Sequence, residues 1–175
     1  MSILIRQANT GDASEIASLH IASRIAAYKN IIPDSILDNQ SQQKEETMWM
    51  EALRKNPENV LVAVTAEKEI AGFVGFGPSR DRDNEGEIYA IYNNPEYFRS
   101  GIGRLLWKAA REQLAARGYS TVVALVITEN IQARKFYESV GFKLVEDSDS
   151  TFTWEGEVLN EVYYVVHDLN SSIPG

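Results

Sequence analysis

Residues 87–106 read EIYAIYNNPEYFRSGIGRLL, an apolar run followed by turn residues and then by two glycines. It predicts a strand that ends at Asn93-Asn94-Pro95, followed by a helix entered through Gly101-Ile102-Gly103. The first N–H groups of a helix have no partner within it and carry a partial positive charge, so such a turn can hold a pyrophosphate. A plain helix-capping turn is the alternative interpretation.

Two common phosphate-binding motifs do not describe this turn. The third glycine of the dinucleotide fingerprint is missing, and no Gly-Lys-Ser/Thr follows, as a P-loop would require. Arg99 and Arg104 flank the glycines and could add charge-assisted contacts to an anion.

A second informative stretch, residues 130–142, reads NIQARKFYESVGF. A buried strand ends in Asn130, and the helix that follows stops at a Gly-Phe pair. Ordinary amphipathic packing accounts for Phe136 and Val140. The hydroxyl of Tyr137 is expected to point away from the apolar face of this helix. Asn130 carries an amide at a strand end, where ligands commonly bind in open α/β sheets.

The order of predicted elements indicates a mixed α/β (α+β) protein. The predicted strands are 2–8, 60–64, 70–77, 87–92, 121–127, 142–154 and 158–168, and the predicted helices are 12–28, one beginning at 33–34, 42–53, 101–117 and 131–140. We expect residues 1–169 to form a single domain and residues 170–175 to form a loose tail.

Composition narrows the classes of function. The chain has 175 residues, 44% of them hydrophobic, no cysteine, two separated histidines and a net charge of -8. This balance argues against nucleic-acid binding, and we expect no metal site, no membrane span and a cytoplasmic location. The acidic charge suits a cationic acceptor such as a polyamine, although solubility alone also explains it.

Together the two stretches resemble the GCN5-related N-acetyltransferase (GNAT) superfamily. Residues 87–106 match its coenzyme A pyrophosphate loop, and residues 130–142 match its Asn-x-x-Ala-x-x-Phe-Tyr-x-x-x-Gly-Phe segment. The resemblance implies a three-layer fold with helices on both faces of a central mixed, mostly antiparallel sheet, splayed between the fourth and fifth strands. It also implies acetyl-coenzyme A as cosubstrate and a small-molecule or peptide amine as acceptor, with a homodimer as one compatible assembly.

The resemblance further implies roles for individual residues. Asn130 would bind the pantetheine arm, and Tyr137 would protonate the departing thiolate. Phe98 stands where the family usually has Gln or Arg, and we expect it to weaken binding at most. The remaining cofactor contacts would come from backbone groups, of Ile91, Tyr92 and Asn93 to pantetheine and of Arg99, Ser100, Gly101, Ile102, Gly103 and Arg104 to pyrophosphate.

The base and the acceptor pocket are less defined. Glu87 matches a glutamate used by some relatives, Glu85 is the alternative, and a solvated strand-end charge is a third interpretation. The candidate acceptor-lining residues are Tyr28, Ile31, Tyr89 and Tyr164. A non-catalytic coenzyme A-binding sensor or scaffold and transfer of a longer acyl chain stay open as alternatives.

Overall fold

The computed structural model describes residues 2–169 and places eight strands in one sheet. Their order is β1-β2-β3-β4-β5-β8-β6, with β7 also paired to β8. The strands are β1 (Ile3–Gln7), β2 (Val60–Thr65), β3 (Ile70–Pro78), β4 (Gly86–Asn93), β5 (Val122–Ile127), β6 (Lys143–Leu144), β7 (Ser150–Trp154) and β8 (Glu157–Val166).

The parallel contact between β4 and β5 is short and positions the site. It joins Gly86, Glu87 and Ile88 to Val122, Val123 and Ala124, and every other strand pair in the described sheet is antiparallel. Beyond Ile88 no strand pairs with that edge of β4 among the described residues. The predicted mixed sheet that splays between the fourth and fifth strands is therefore confirmed.

The helices cover both faces of the sheet. The first and third pack with β2 and β3 around His20, Trp49 and Phe73, and the last two cover the opposite face around Trp107 and Tyr164. The short second helix places Leu37 in a small separate cluster with Ile127 and Leu159. These two apolar layers hold the sheet by burying its alternating side chains. The helices are α1 (Ala13–Tyr28), α2 (Asp34–Leu37), α3 (Gln42–Lys55), α4 (Ile102–Ala116) and α5 (Ile131–Ser139).

The prediction of one strand over 142–154 is wrong, because β6 and β7 divide this segment. The chain leaves the ladder between them: the Tyr163 N–H donates to the Ser148 hydroxyl at 3.1 Å, and Asp147 has a positive φ of 53°. A positive φ breaks the extended conformation that a ladder needs. The expected tail, residues 170–175, lies outside the described residues.

Among the described residues, no helix is long and apolar enough to cross a bilayer.

Candidate active site

The edge of β4 that faces the splay is open. The Asn94 N–H donates to the Ala71 carbonyl at 2.9 Å, so Gly72 and Asn93 form a non-hydrogen-bonded pair of the antiparallel ladder. The backbone N–H and C=O groups of Ile91 and Asn93 therefore point away from β3. They face the open edge of β4, where a ligand could pair with them. The prediction that the Tyr92 backbone also meets the ligand is wrong, because this register turns its N–H and C=O toward β3.

The Asn93 carbonyl on this open edge already accepts a hydrogen bond from the Ser23 hydroxyl at 2.9 Å. This bond ties α1 to the end of β4. A carbonyl oxygen has two lone pairs, so Asn93 keeps capacity for a second donor.

The turn into α4 presents free donors. Gly101 is its N-cap with φ 84° and ψ 0°, a left-handed conformation that glycine adopts without strain. The Arg104 and Leu105 N–H groups both donate to the Gly101 carbonyl, at 3.1 and 3.2 Å. Within residues 2–169, no acceptor satisfies the N–H groups of Gly101, Ile102, Gly103 and Arg99.

Not all of the predicted pyrophosphate donors are free. The Ser100 N–H donates to the Tyr97 carbonyl at 3.2 Å, and the Arg104 N–H donates to the Gly101 carbonyl. Both bonds close the turn and leave these two N–H groups occupied. The Arg104 guanidinium donates to the Ser139 carbonyl at 3.2 Å, which joins the start of α4 to the end of α5. A Cβ built on Gly101 meets no atom within 4 Å, so the space in front of the turn is open to an anion.

Asn130 is the N-cap of α5. Its side-chain oxygen accepts from the Ala133 N–H at 3.1 Å, which satisfies one orphan donor of the helix. Within the described chain its amide N–H groups have no acceptor, although the residue is buried. The amide can therefore donate to a ligand without giving up the cap.

Tyr137 carries, on a largely buried side chain, a hydroxyl without a hydrogen-bond partner in the described part of the chain. The residue is 7% exposed, its ring packs against Phe142 and Tyr164, and the described residues give its hydroxyl no hydrogen bond. Burial, followed by the nearby Tyr92 hydroxyl and Glu87 carboxylate, raises the pKa of Tyr137 well above its usual range. The hydroxyl therefore stays protonated at neutral pH.

Buried tyrosines make the stability of the fold sensitive to alkali. Burial raises the pKa of Tyr28, Tyr92 and Tyr137 above 10.0. Above about pH 10 the unfolded chain loses tyrosine protons that the folded chain keeps, so the free energy of unfolding falls as pH rises. We expect urea denaturation between about pH 8 and pH 11.5 to show a shallower decline for Tyr137→Phe than for wild type. Parallel curves would contradict a protonated, buried Tyr137.

Glu87 is paired rather than solvated. It is 1% exposed, and Arg80 holds both carboxylate oxygens: its backbone N–H reaches one at 2.9 Å, and its guanidinium reaches the other. The interpretation of Glu87 as a solvated strand-end charge is wrong, because the 79–85 loop folds back over the sheet and brings Arg80 onto it. Glu85 lies in this loop, where its carbonyl accepts from the Ser79 N–H at 2.8 Å.

Two predicted acceptor residues lie together on the face covered by α1. The Tyr28 hydroxyl is 2.6 Å from the Tyr92 hydroxyl, and its ring meets Trp154 edge-on at 6.2 Å. Ile31 packs into the same small apolar cluster as Tyr28 and Trp154. These side chains surround the splayed end of β4 opposite α4.

The prediction that Tyr164 lines the acceptor pocket is wrong. Tyr164 is 0% exposed and belongs to the core beneath α4 and α5. Its hydroxyl donates to Glu138 at 2.8 Å and accepts from the Arg134 guanidinium at 3.0 Å. Strand alternation explains the error: Tyr164 pairs with Ala124, and both face α5 instead of α1.

Tyr89 lies at a bulge of β4. Gly75 pairs with Ala90 but Phe76 pairs with Ile88, so Tyr89 is the extra residue of the ladder. Its hydroxyl donates to the Pro78 carbonyl, and the Arg80 guanidinium lies 5.2 Å from its ring centroid. The structure therefore places Tyr89 as a support of the 79–85 loop.

Sequence reasoning missed Arg80, Arg24 and Trp154. The Arg24 guanidinium lies 5.5 Å from the Trp154 ring centroid and donates to Glu45 at 3.0 Å. Arg80 precedes Glu87 by seven residues and lies between the predicted strands 70–77 and 87–92, and this cation before a strand-end carboxylate was the available signal. Arg24 and Trp154 are far apart in sequence, and no local pattern joins them.

Comparison with known proteins agrees with this geometry. The model of the Acetyltransferase (GNAT) family matches residues 26–142. An uncharacterized N-acetyltransferase, YuaI of Bacillus subtilis (strain 168), is 31% identical over 171 residues, which span 97% of this chain and 95% of that protein. The chain therefore belongs to the Acetyltransferase (GNAT) family.

Two further relatives show how far the similarity extends. The thialysine N-epsilon-acetyltransferase of Sus scrofa is 27% identical over 173 residues, covering 92% of this chain and 97% of that protein. The crystal structure of the PaiA N-acetyltransferase from Thermoplasma acidophilum, in complex with coenzyme A, superposes with a TM-score of 0.74. That alignment is 22% identical in sequence and covers 92% of this chain and 98% of the other.

Proposed function

We propose that this protein is an acetyl-coenzyme A-dependent N-acetyltransferase that acetylates a primary amine of a small molecule or peptide. The observation that carries the proposal is the largely buried Tyr137 side chain, whose hydroxyl has no hydrogen-bond partner among the described residues, together with the open edge of β4 and the free N–H donors at the start of α4. The turn can bind the phosphates of acetyl-coenzyme A, and the protonated Tyr137 hydroxyl can donate a proton to its sulfur when the acetyl group is transferred.

Some groups of the chain bind the cofactor, and one group transfers a proton to it. Free N–H groups of Gly101, Ile102 and Gly103 bind pyrophosphate oxygens, and the Asn130 amide with the Ile91 and Asn93 backbone orients pantetheine. Acetyl-coenzyme A supplies the acetyl group as an activated thioester. Tyr137 donates its proton to the departing sulfur. Burial of this sulfur in the same apolar surroundings raises the pKa of the thiol, which favours the transfer. No cysteine exists in the sequence to form a thioester with the enzyme.

The face beneath α1 supports an amine acceptor. The Tyr28 and Tyr92 hydroxyls share one hydrogen bond and keep lone pairs that can accept an N–H. The name of the Sus scrofa relative assigns its transfer to the ε-nitrogen of thialysine, which supports a primary amine here. The PaiA structure contains coenzyme A, which supports the cosubstrate.

Binding of acetyl-coenzyme A tests the first half of this proposal. A ligand specific for the native state at a hundred times its Kd adds about 2.7 kcal/mol of stability, which corresponds to a rise in Tm of about 5–10 °C. We expect this rise with acetyl-coenzyme A and no rise with NAD as control. An unchanged Tm with millimolar acetyl-coenzyme A would reject the proposal.

Glu87 is our proposal for the group that accepts the amine's proton. The carboxylate is 1% exposed and Arg80 donates to each of its oxygens, so we propose that the proton reaches Glu87 through a bridging water and not by direct contact. Glu87→Gln should lower the rate most at neutral pH, where the acceptor is mainly ammonium, and a higher pH should partly restore it. The variant also removes the ion pair between the buried Glu87 carboxylate and Arg80, whose side chain is 60% exposed, so we expect a loss of about 1–3 kcal/mol in the free energy of unfolding.

Rates between about pH 6.5 and pH 9.5 check this assignment, with Glu85→Gln as the matched control. If Glu85→Gln loses rate and pH profile while Glu87→Gln keeps both, the base is Glu85. If neither variant changes the profile, both assignments are wrong.

A further inference from the structure

Phe98 exposes a large apolar ring next to the phosphate-binding turn. The residue is 52% exposed, and the Arg99 guanidinium lies 5.7 Å from its ring centroid. Arg99 has a positive φ of 60°, which is unusual for a residue with a side chain. The two residues therefore form a cation–π pair on the surface.

Single exposed apolar side chains are common on protein surfaces. Phe98 and Arg99 differ from them because they lie next to the turn that precedes α4. Phe98 precedes Gly101 by three residues, and three residues of chain span at most about 10 Å. The unsatisfied N–H groups of Arg99, Gly101 and Ile102 thus lie within reach of whatever rests on the ring. A ligand with a phosphate on those donors and a planar group attached to it would meet both features.

We propose that Phe98 and Arg99 form a stacking platform for the adenine ring of coenzyme A. This inference rests on the proposed function, because it takes coenzyme A as the ligand of the turn. The adenine of coenzyme A is joined to its pyrophosphate through one ribose, which matches the short distance between the donors and the ring. Every nucleobase has a π-face that stacks on aromatic rings and on guanidinium planes.

This role differs from the expectation that Phe98 weakens binding. The structure shows a half-exposed ring beside a guanidinium, so a base can stack on the ring while the guanidinium stays able to contact a phosphate.

Isothermal titration calorimetry with coenzyme A and with 4′-phosphopantetheine, which lacks adenosine, tests the platform. Phe98→Ala should lower the affinity for coenzyme A about 5- to 30-fold, the lower part of the range measured for base–aromatic stacking. Phe98→Trp should keep the wild-type affinity because it keeps a ring. Neither variant should change the affinity for 4′-phosphopantetheine. Leu4→Ala, at a 63% exposed apolar position on β1, is the matched control.

The outcomes separate this inference from the proposed function. Wild-type protein that binds coenzyme A, together with a Phe98→Ala variant that binds it equally well, overturns the platform alone. An equal loss of affinity for both ligands in Phe98→Ala also overturns it. The ring would then support the conformation of the turn and would not stack on adenine. Wild-type protein that binds neither ligand overturns both proposals.

Discussion

Replacing Tyr137 by phenylalanine is expected to lower kcat by a factor of about 10² to 10⁴ and to leave the affinity for coenzyme A unchanged. The variant keeps the ring that packs against Phe142 and Tyr164 and removes only an oxygen that bonds to no described residue. The free energy of unfolding should therefore not fall. Single-turnover kinetics would measure the chemical step, and calorimetry would measure the affinity.

Tyr119→Phe is the matched control for this experiment. It removes the same atom in the turn after α4, where the Tyr119 N–H donates to the Leu114 carbonyl at 3.1 Å, and it should keep the wild-type rate. An unchanged chemical step in Tyr137→Phe would assign Tyr137 a packing role only.

Replacing Gly101 by valine is expected to remove measurable binding of coenzyme A. At the Gly101 φ of +84° a β-branched residue is strained by about 1–3 kcal/mol, and relief of the strain would rotate the N–H groups of the turn. The space around the new Cβ is open, so the side chain would also project to where phosphate oxygens approach the backbone. Calorimetry with coenzyme A measures the loss, and circular dichroism confirms the fold.

The end of the same helix provides the control. Gly118 has a φ of +93° and open space around its Cβ, so Gly118→Val introduces a similar strain away from the turn. We expect Gly118→Val to lose stability and keep coenzyme A binding. Wild-type affinity in Gly101→Val, or equal losses of affinity in both variants, would contradict the assignment of the turn.

The sequence predicted the parts of the site that depend on neighbouring residues. The end of β4, the entry into α4 at Gly101 and the start of a helix after Asn130 were each predicted from a short local motif, and the structure has all three. The splay after Ile88 was predicted from the family resemblance and is confirmed by the short β4–β5 pairing.

The parts that were missed depend on contacts between distant segments. Glu87 is buried because a charged loop folds back over it, and sequence periodicity does not predict the path of such a loop. Tyr164 was placed on the wrong face because alternation along β8 cannot be oriented without knowing which helix covers it. The division of 142–154 follows from a hydroxyl of Ser148 that takes the place of a strand partner.

Transfer of an acetyl group to an amine is the central claim, and thiol release coupled to product mass tests it most directly. Wild-type protein, acetyl-coenzyme A and a panel of polyamines, amino acids, antibiotics and peptides should give amine-dependent free thiol and one acetylated product. Tyr137→Phe should lower both signals together. Coenzyme A binding without amine-dependent thiol release across the panel would contradict the account and favour a non-catalytic coenzyme A-binding module.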